Sequence, residues 1–172
     1  MRRLILFRHA KTEIGSDDLA RSLTSRGRAA APAMGRWLAA QGVEPDLVLC
    51  SPSQRTRETW SLASTGTFDP EPAILYDDRV YNATTDGLIV LVRETAPAIG
   101  TLVVVGHNPG LSVLVDALIA PLSPRHGYDG GGLPTGAIAV LGFDGHGWRE
   151  VRAGRGELLA FATPKLIGAP TA

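Results

Sequence analysis

At 172 residues and 44% apolar composition, the chain has material for the core of one domain spanning residues 1–172 and too little for two full ones. Seventeen Lys and Arg side chains cancel seventeen Asp and Glu. No global field therefore draws the molecule to nucleic acid or an anionic membrane, and any anion it binds must be held by local side chains.

The start, Met1-Arg2-Arg3, is basic like a signal peptide, but the apolar run Leu4-Ile5-Leu6-Phe7 stops at Arg8-His9, too soon for an h-region. No stretch approaches the roughly 20 apolar residues that cross a bilayer. The expectation is a soluble, cytoplasmic protein without membrane partners. The single Cys50 has no internal disulfide partner, which suits a reducing compartment; it reads as a small buried residue at a strand end.

Three short apolar runs read as strands buried on both faces: Arg3 to Phe7, Asp46 to Cys50 and Thr101 to Val105. Between the first two, Thr24 or Ser25 caps a helix with Ala29, Met34, Trp37 and Leu38 on its apolar face and Gly42 as its stop. Ser51-Pro52-Ser53 opens a second helix running to about Ala63, and a third spans Asp86 to Thr95. Pro109 starts a fourth, with Leu111, Leu114, Val115, Leu118 and Ile119 at helical spacing. Repeated strand-helix units of this kind predict an α/β fold: a three-layer α/β/α sandwich around a mostly parallel sheet. Pro121 to Pro134, with Gly130-Gly131-Gly132, reads as a polar loop with little to bury. Gly136 to Phe143, Trp148 to Ala153 and Leu158 to Ala162 read as shorter strands extending one edge of the sheet.

The chemistry gathers just past the strand ends. Arg8-His9 follows the first strand, Ser51-Pro52-Ser53-Gln54-Arg55 the second, and Gly106-His107-Asn108-Pro109 the third. Ligands of open α/β sheets bind outside the carboxyl ends of the strands, so these two arginines and two histidines converge on one predicted pocket. Taken singly, each is weak: a lone His107 reads first as a structural residue and a lone Arg55 as a solvated one. Together they suit a phosphoryl dianion, because guanidiniums offer permanently charged forks that match phosphate oxygens. A neutral imidazole is in addition a competent nucleophile near pH 7. No acidic cluster with metal-ligand spacing lies near these positions, so the expectation is metal-independent chemistry without a cofactor, with positive side chains stabilising the phosphoryl oxygens.

Leu6-Phe7-Arg8-His9-Ala10 resembles the signature of the histidine phosphatase superfamily, which includes phosphoglycerate mutases and the SixA phosphohistidine phosphatases. Ser51 to Thr59 is similar to the family's second motif and Val105 to Gly110 to its third. The resemblance covers nearly the whole chain. The short length, the Asp18 to Gly27 stretch, Pro134-Thr135-Gly136-Ala137 and Phe161-Ala162-Thr163-Pro164-Lys165 place it nearest the SixA-like branch. It implies a phosphoglycerate mutase-like fold, with His9 phosphorylated during turnover, Arg8, Arg55 and His107 binding the phosphoryl group, and water hydrolysing the intermediate. Arg21 matches an arginine of that branch that lines the entrance; the other reading is an exposed loop residue. Arg57, about 200° around a helix from Arg55, is assigned to solvent. Ala10 replaces the family's usual glycine, adding a methyl where backbone approaches phosphate. Asp78, or Asp77 beside it, is similar in register to the mutases' proton donor, a role that requires a raised pKa; both also read as the start of a loop.

The remaining candidates are bland. His126 and His146 read as exposed turns, Lys165 as a surface charge, Trp37, Trp60 and Trp148 as packing, and Gly130-Gly131-Gly132 as no nucleotide loop. The implied substrate is phosphohistidine on a protein, since few residues between Glu58 and Asp78 are available to cap the pocket. A small phosphorylated metabolite is the second reading and a silent phosphate-binding module the third.

Overall fold

In a computed structural model of the chain, residues 1–145 and 147–170 are described. His146 lies outside the described residues. A six-stranded sheet organises the molecule in the order β3-β2-β4-β1-β5-β6. Its strands are β1 (Arg2–Arg8), β2 (Leu47–Cys50), β3 (Ala73–Tyr76), β4 (Thr101–Gly106), β5 (Ile138–Phe143) and β6 (Glu157–Ala162). The first four run parallel, whereas β5 is antiparallel to β1 and β6 pairs antiparallel with β5 at the sheet edge.

Two helices cover each face. On one side α1 (Ser25–Ala40) and α2 (Gln54–Ser64) bring Met34, Leu38, Trp60 and Ala63 against Ile5, Phe7, Val48 and Val103. On the other, α3 (Thr85–Glu94) and α4 (Gly110–Leu118) bring Leu88, Leu91, Leu111 and Leu114 against Leu4, Leu6, Leu102 and Val104. Because neighbouring strand residues face opposite sides, a strand covered on both faces has no use for polar residues. The unbroken apolar runs of β1 and β4 follow from this. The fold is a three-layer α/β/α sandwich, as the sequence predicts.

Local chemistry sets the boundaries. The Thr24 side chain accepts from Gly27 N–H to open α1, and Gly42, at φ +66°, provides the left-handed turn after it. Gly35 lets α1 lie on α2, since a Cβ there would sit 1.9 Å from the Ala63 carbonyl oxygen. Gly27 lets α1 approach the segment after His9, where a Cβ would meet the Lys11 carbonyl oxygen at 2.2 Å.

Two expectations need correction, and one strand was not expected. Trp148 to Ala153 is not a strand: Trp148–Glu150 forms a 3-10 turn whose indole N–H donates to the Ile99 carbonyl at 2.7 Å, anchoring a buried ring. Residues 121–134 do bury something: Tyr128 and Leu133 are in the core, and the Tyr128 hydroxyl donates to Asp116 at 2.7 Å. Strand β3 has no counterpart among the predicted elements, since all four of its residues are exposed at the sheet edge.

Candidate active site

The carboxyl ends of β1, β2 and β4 lie side by side, with Arg8 paired to Gly106 and Cys50 to Val105, so the segments that follow them meet. His9 and His107 stand with ring centroids 5.4 Å apart. Arg55, on the first turn of α2 and 97% buried, reaches His107 with Nη2 at 3.2 Å from Nδ1. Arg8 is anchored through Nη1 to the Leu133 carbonyl at 2.8 Å, an oxygen that also accepts from Asn108. Arg8 Nε and Arg55 Nε are buried with no acceptor among the described residues.

The hydrogen bonds assign the tautomers. His9 Nδ1 lies 2.8 Å from the Ala10 carbonyl oxygen, which can only accept. Nδ1 therefore carries the proton, and the lone pair is on Nε2, which has no hydrogen-bond partner among the described residues. At His107 the arginine can only donate, so Nδ1 accepts and Nε2–H donates to Ser51 Oγ at 2.7 Å. Both rings are held neutral. Burial, supported by Arg55, Arg8 and Arg21, lowers His9 to about 4 despite the opposing Ala10 contact. Burial, Arg55 and His9 lower His107 to about 3.

Ala10 occupies the glycine position without intruding. Its methyl packs with Leu23 and Ala31, and its amide donates to Thr59 Oγ1 at 3.0 Å, while the Thr59 hydroxyl donates to the Arg55 carbonyl at 2.6 Å. One side chain of α2 thus couples the nucleophile segment to the backbone of Arg55.

Residues 13–22 fold back as a loop, with Glu13 N–H on the Ser22 carbonyl and Gln54 N–H on that of Leu19. This carries Arg21 to the cluster, where it bonds Thr12 Oγ1 at 3.1 Å and Asp18 Oδ1 through Nε and Nη2 at 3.0 and 2.8 Å. Asp18 is a participant that sequence reasoning missed. Its Oδ2 accepts from Arg55 Nη2 at 3.1 Å and from Tyr81 Oη at 2.5 Å, and its carbonyl from Arg55 Nη1 at 2.5 Å. Ser51 and Tyr81 were also missed as site residues; the Tyr81 ring lies edge-on to His107 at 5.5 Å.

The two acids considered as proton donors are not drawn in. Asp78 is exposed, with no side-chain contact to the cluster among the described residues. Asp77 spends its carboxylate on Arg79, whose side-chain and backbone hydrogen bonds hold it below the usual range. Arg57 is exposed and stacks on Tyr76 at 4.7 Å. Cys50 is buried, its thiol pushed up to about 12 by that burial. His126 and Lys165 are exposed, as expected. Trp60 and Trp148 are core residues and Trp37 is half-buried. No described helix is long and apolar enough to cross a membrane.

An α/β sandwich with two neutral imidazoles and two guanidiniums at its strand ends has side chains of the kind that suit a phosphoryl group. Comparison with known proteins agrees. Residues 4–75 match the model of the histidine phosphatase superfamily (branch 1). The chain is 36% identical over 166 residues to the uncharacterized protein Rv1276c of Mycobacterium tuberculosis, covering 92% of this chain and 99% of that one. Among solved structures it is similar to the candidate phosphohistidine phosphatase SixA of Nakamurella multipartitia (29% identity, TM-score 0.83, 95% of this chain and 96% of that one). It is also similar to the SixA candidate of Agrobacterium tumefaciens (28%, TM-score 0.79, 95% and 98%). The chain belongs to the histidine phosphatase superfamily, in its SixA-like branch. It is a phosphatase.

Proposed function

We propose that this phosphatase carries the phosphoryl group on His9 and removes it from phosphohistidine presented by a protein. The observation that carries the reading is His9 itself: a neutral ring, its Nδ1 proton fixed on a carbonyl and its Nε2 lone pair without a partner among the described residues, beside Arg55 and His107. The Nε2 pair bonds to phosphorus as the bond to the leaving group breaks. Water then forms the new P–O bond, His9 recovers its electron pair, and a proton passes to solvent. Arg8 and Arg55 are assigned to phosphoryl binding and Arg21 to the entrance; His107, whose ring nitrogens are engaged by Arg55 and Ser51, joins phosphoryl binding by turning its Nε2–H from Ser51 to a phosphoryl oxygen. Three guanidiniums less the Asp18 carboxylate leave two positive charges, matching a dianion. Asp78 receives no role in this reading, because its exposed side chain has no contact with the cluster among the described residues.

Protein presentation is supported by what borders the site. Residues 65–72 alone join α2 to β3, so no inserted helix from that connection crosses the cluster. A groove of about 760 Å³ lined by Leu19, Pro52, Arg57, Leu62 and Tyr76 flanks the loop that holds Asp18 and the first turn of α2, which holds Arg55. The test compares kcat/KM for a phosphohistidine-bearing protein with that for small phosphosugars and nucleotides. A preference of at least tenfold for the phosphoprotein is expected; the reverse order returns the enzyme to metabolite chemistry, and no turnover of any compound makes it a binding module.

A further inference from the structure

A net charge of zero hides an uneven distribution. Seventeen cations balance seventeen anions over the chain, yet the two signs collect at opposite ends of the sheet. At the amino end of β2, a hollow of about 520 Å³ is lined by Glu44, Asp46 and Asp69 and by no Lys or Arg. Past the carboxyl end of β1, a cleft of about 450 Å³ is lined by Lys11, Arg26 and Lys165 and by no Asp or Glu. All three cations are exposed, and none makes an ion pair or a side-chain hydrogen bond among the described residues. Like charges gathered around one concavity repel, and an anion between them relieves that repulsion.

Direct contacts join this cleft to the catalytic cluster. Its lining includes Ala10, the residue after His9, and Thr12, whose hydroxyl accepts from Arg21 Nη1 at 3.1 Å. Pro164, another lining residue, abuts Gly136, where a Cβ would meet Pro164 Cγ at 2.9 Å, and the Gly136 N–H donates to the His9 carbonyl at 2.8 Å. We propose that the cleft binds acidic side chains that flank the phosphohistidine of the protein substrate, so that the enzyme selects acidic surroundings. The inference rests on the phosphohistidine reading above. Carboxylates fit better than a second phosphoryl group, because the cleft has one exposed guanidinium and two hydrated ammonium groups, not the buried arginine forks that stand beside His9. Ala10, Ala30 and Pro134 give the lining an apolar surface for the methylenes of Asp and Glu. With the acidic hollow at the other end of the sheet, the molecule's field also turns its active end toward an acidic partner.

The test uses synthetic phosphohistidine peptides flanked on both sides by Glu-rich or by Lys-rich sequence, with kcat/KM as the readout. An exposed ion pair contributes about two- to threefold, so three together predict a wild-type preference of about tenfold for the Glu-rich peptide. Raising the salt from about 0.05 to about 0.5 M shrinks that preference, since exposed charges are screened. In the triple variant Lys11→Glu, Arg26→Glu, Lys165→Glu the preference inverts toward the Lys-rich peptide, while hydrolysis of para-nitrophenyl phosphate, which has no flank, persists and reports that the variant is folded. Arg26→Gln with Lys165→Gln, which leaves the segment after His9 untouched, lowers the preference to about threefold or less. Equal wild-type rates on the two peptides, or a Glu-rich preference that survives in these variants and so belongs to the active-site arginines, overturn the inference and leave the phosphohistidine reading standing. Wild-type turnover of the aryl phosphate with none of either peptide overturns that reading, and the inference with it.

Discussion

Lowering the pH separates this site from an ordinary pair of histidines. A solvated imidazole titrates near 6.5, but here burial and the arginines bring His9 to about 4 and His107 to about 3. At pH 5 a histidine of pKa about 4 is roughly 90% neutral, whereas one at about 6.5 is roughly 3% neutral. The nucleophile thus stays competent where an unperturbed one is some thirtyfold depleted by the same arithmetic. The assay is kcat/KM for para-nitrophenyl phosphate from pH 4 to 9 at constant ionic strength, corrected for the substrate's own ionisation; this ratio reports the free enzyme. The acid limb is expected near pH 4. A limb centred near 6.5 refutes the reasoning, because the rings would then not stand in the desolvated, arginine-flanked setting described. The sign for stability follows from the same shifts. Both native pKa values are lowered, so the contribution is fully present above about pH 6.5 and is lost as pH falls toward 4 and 3, where the unfolded chain binds protons the native chain does not.

Other substitutions probe the supports of the cluster. Ser51→Ala removes the acceptor of His107 Nε2–H and is expected to cost about 1–3 kcal/mol in urea unfolding. Its kcat/KM should fall about tenfold as the ring loses its tautomer lock; an unchanged rate shows that His107 needs no such orientation. Thr59→Val keeps the shape but leaves the Ala10 amide unpaired, and is expected to destabilise by a similar amount and lower kcat more than it raises KM, as steady-state kinetics will show. Gly27→Ala places a methyl on the Lys11 carbonyl; overpacking of about 1–3 kcal/mol predicts a Tm lower by several degrees in calorimetry.

The parts of this architecture that were legible in the sequence are those with a continuous physical signature. Leu4–Phe7 and Leu102–Val105 are buried on both faces, so their apolar runs read directly as central strands. Thr24, Gly42 and Pro109 mark helix ends by mechanisms local to a few residues. His9, Arg55 and His107 could be brought together on paper because each follows such a strand, and the rule for strand ends needs no contact information. Strand β3 escaped because edge residues facing water carry no burial pattern. Trp148 reads like a strand residue, yet its turn is set by a bond to Ile99, 49 residues away. Asp18 is one acid in a polar stretch, and only folding brings it to Arg55, 37 positions on, and to Tyr81, 63 positions on. Within the sequence alone, Asp78 has a better claim to acid chemistry than Asp18, because register survives where the loop's path does not.

The central claim is tested most directly by trapping the enzyme during turnover. Wild type and His9→Ala are mixed with para-nitrophenyl phosphate in the presence of a chelator, quenched within milliseconds under alkaline conditions, and analysed by mass spectrometry. An acid-labile phosphoryl group on His9 of the wild type, absent from a His9→Ala protein that has lost turnover, is the predicted result; turnover undiminished in His9→Ala, or a phosphoryl group on any other residue, contradicts the account.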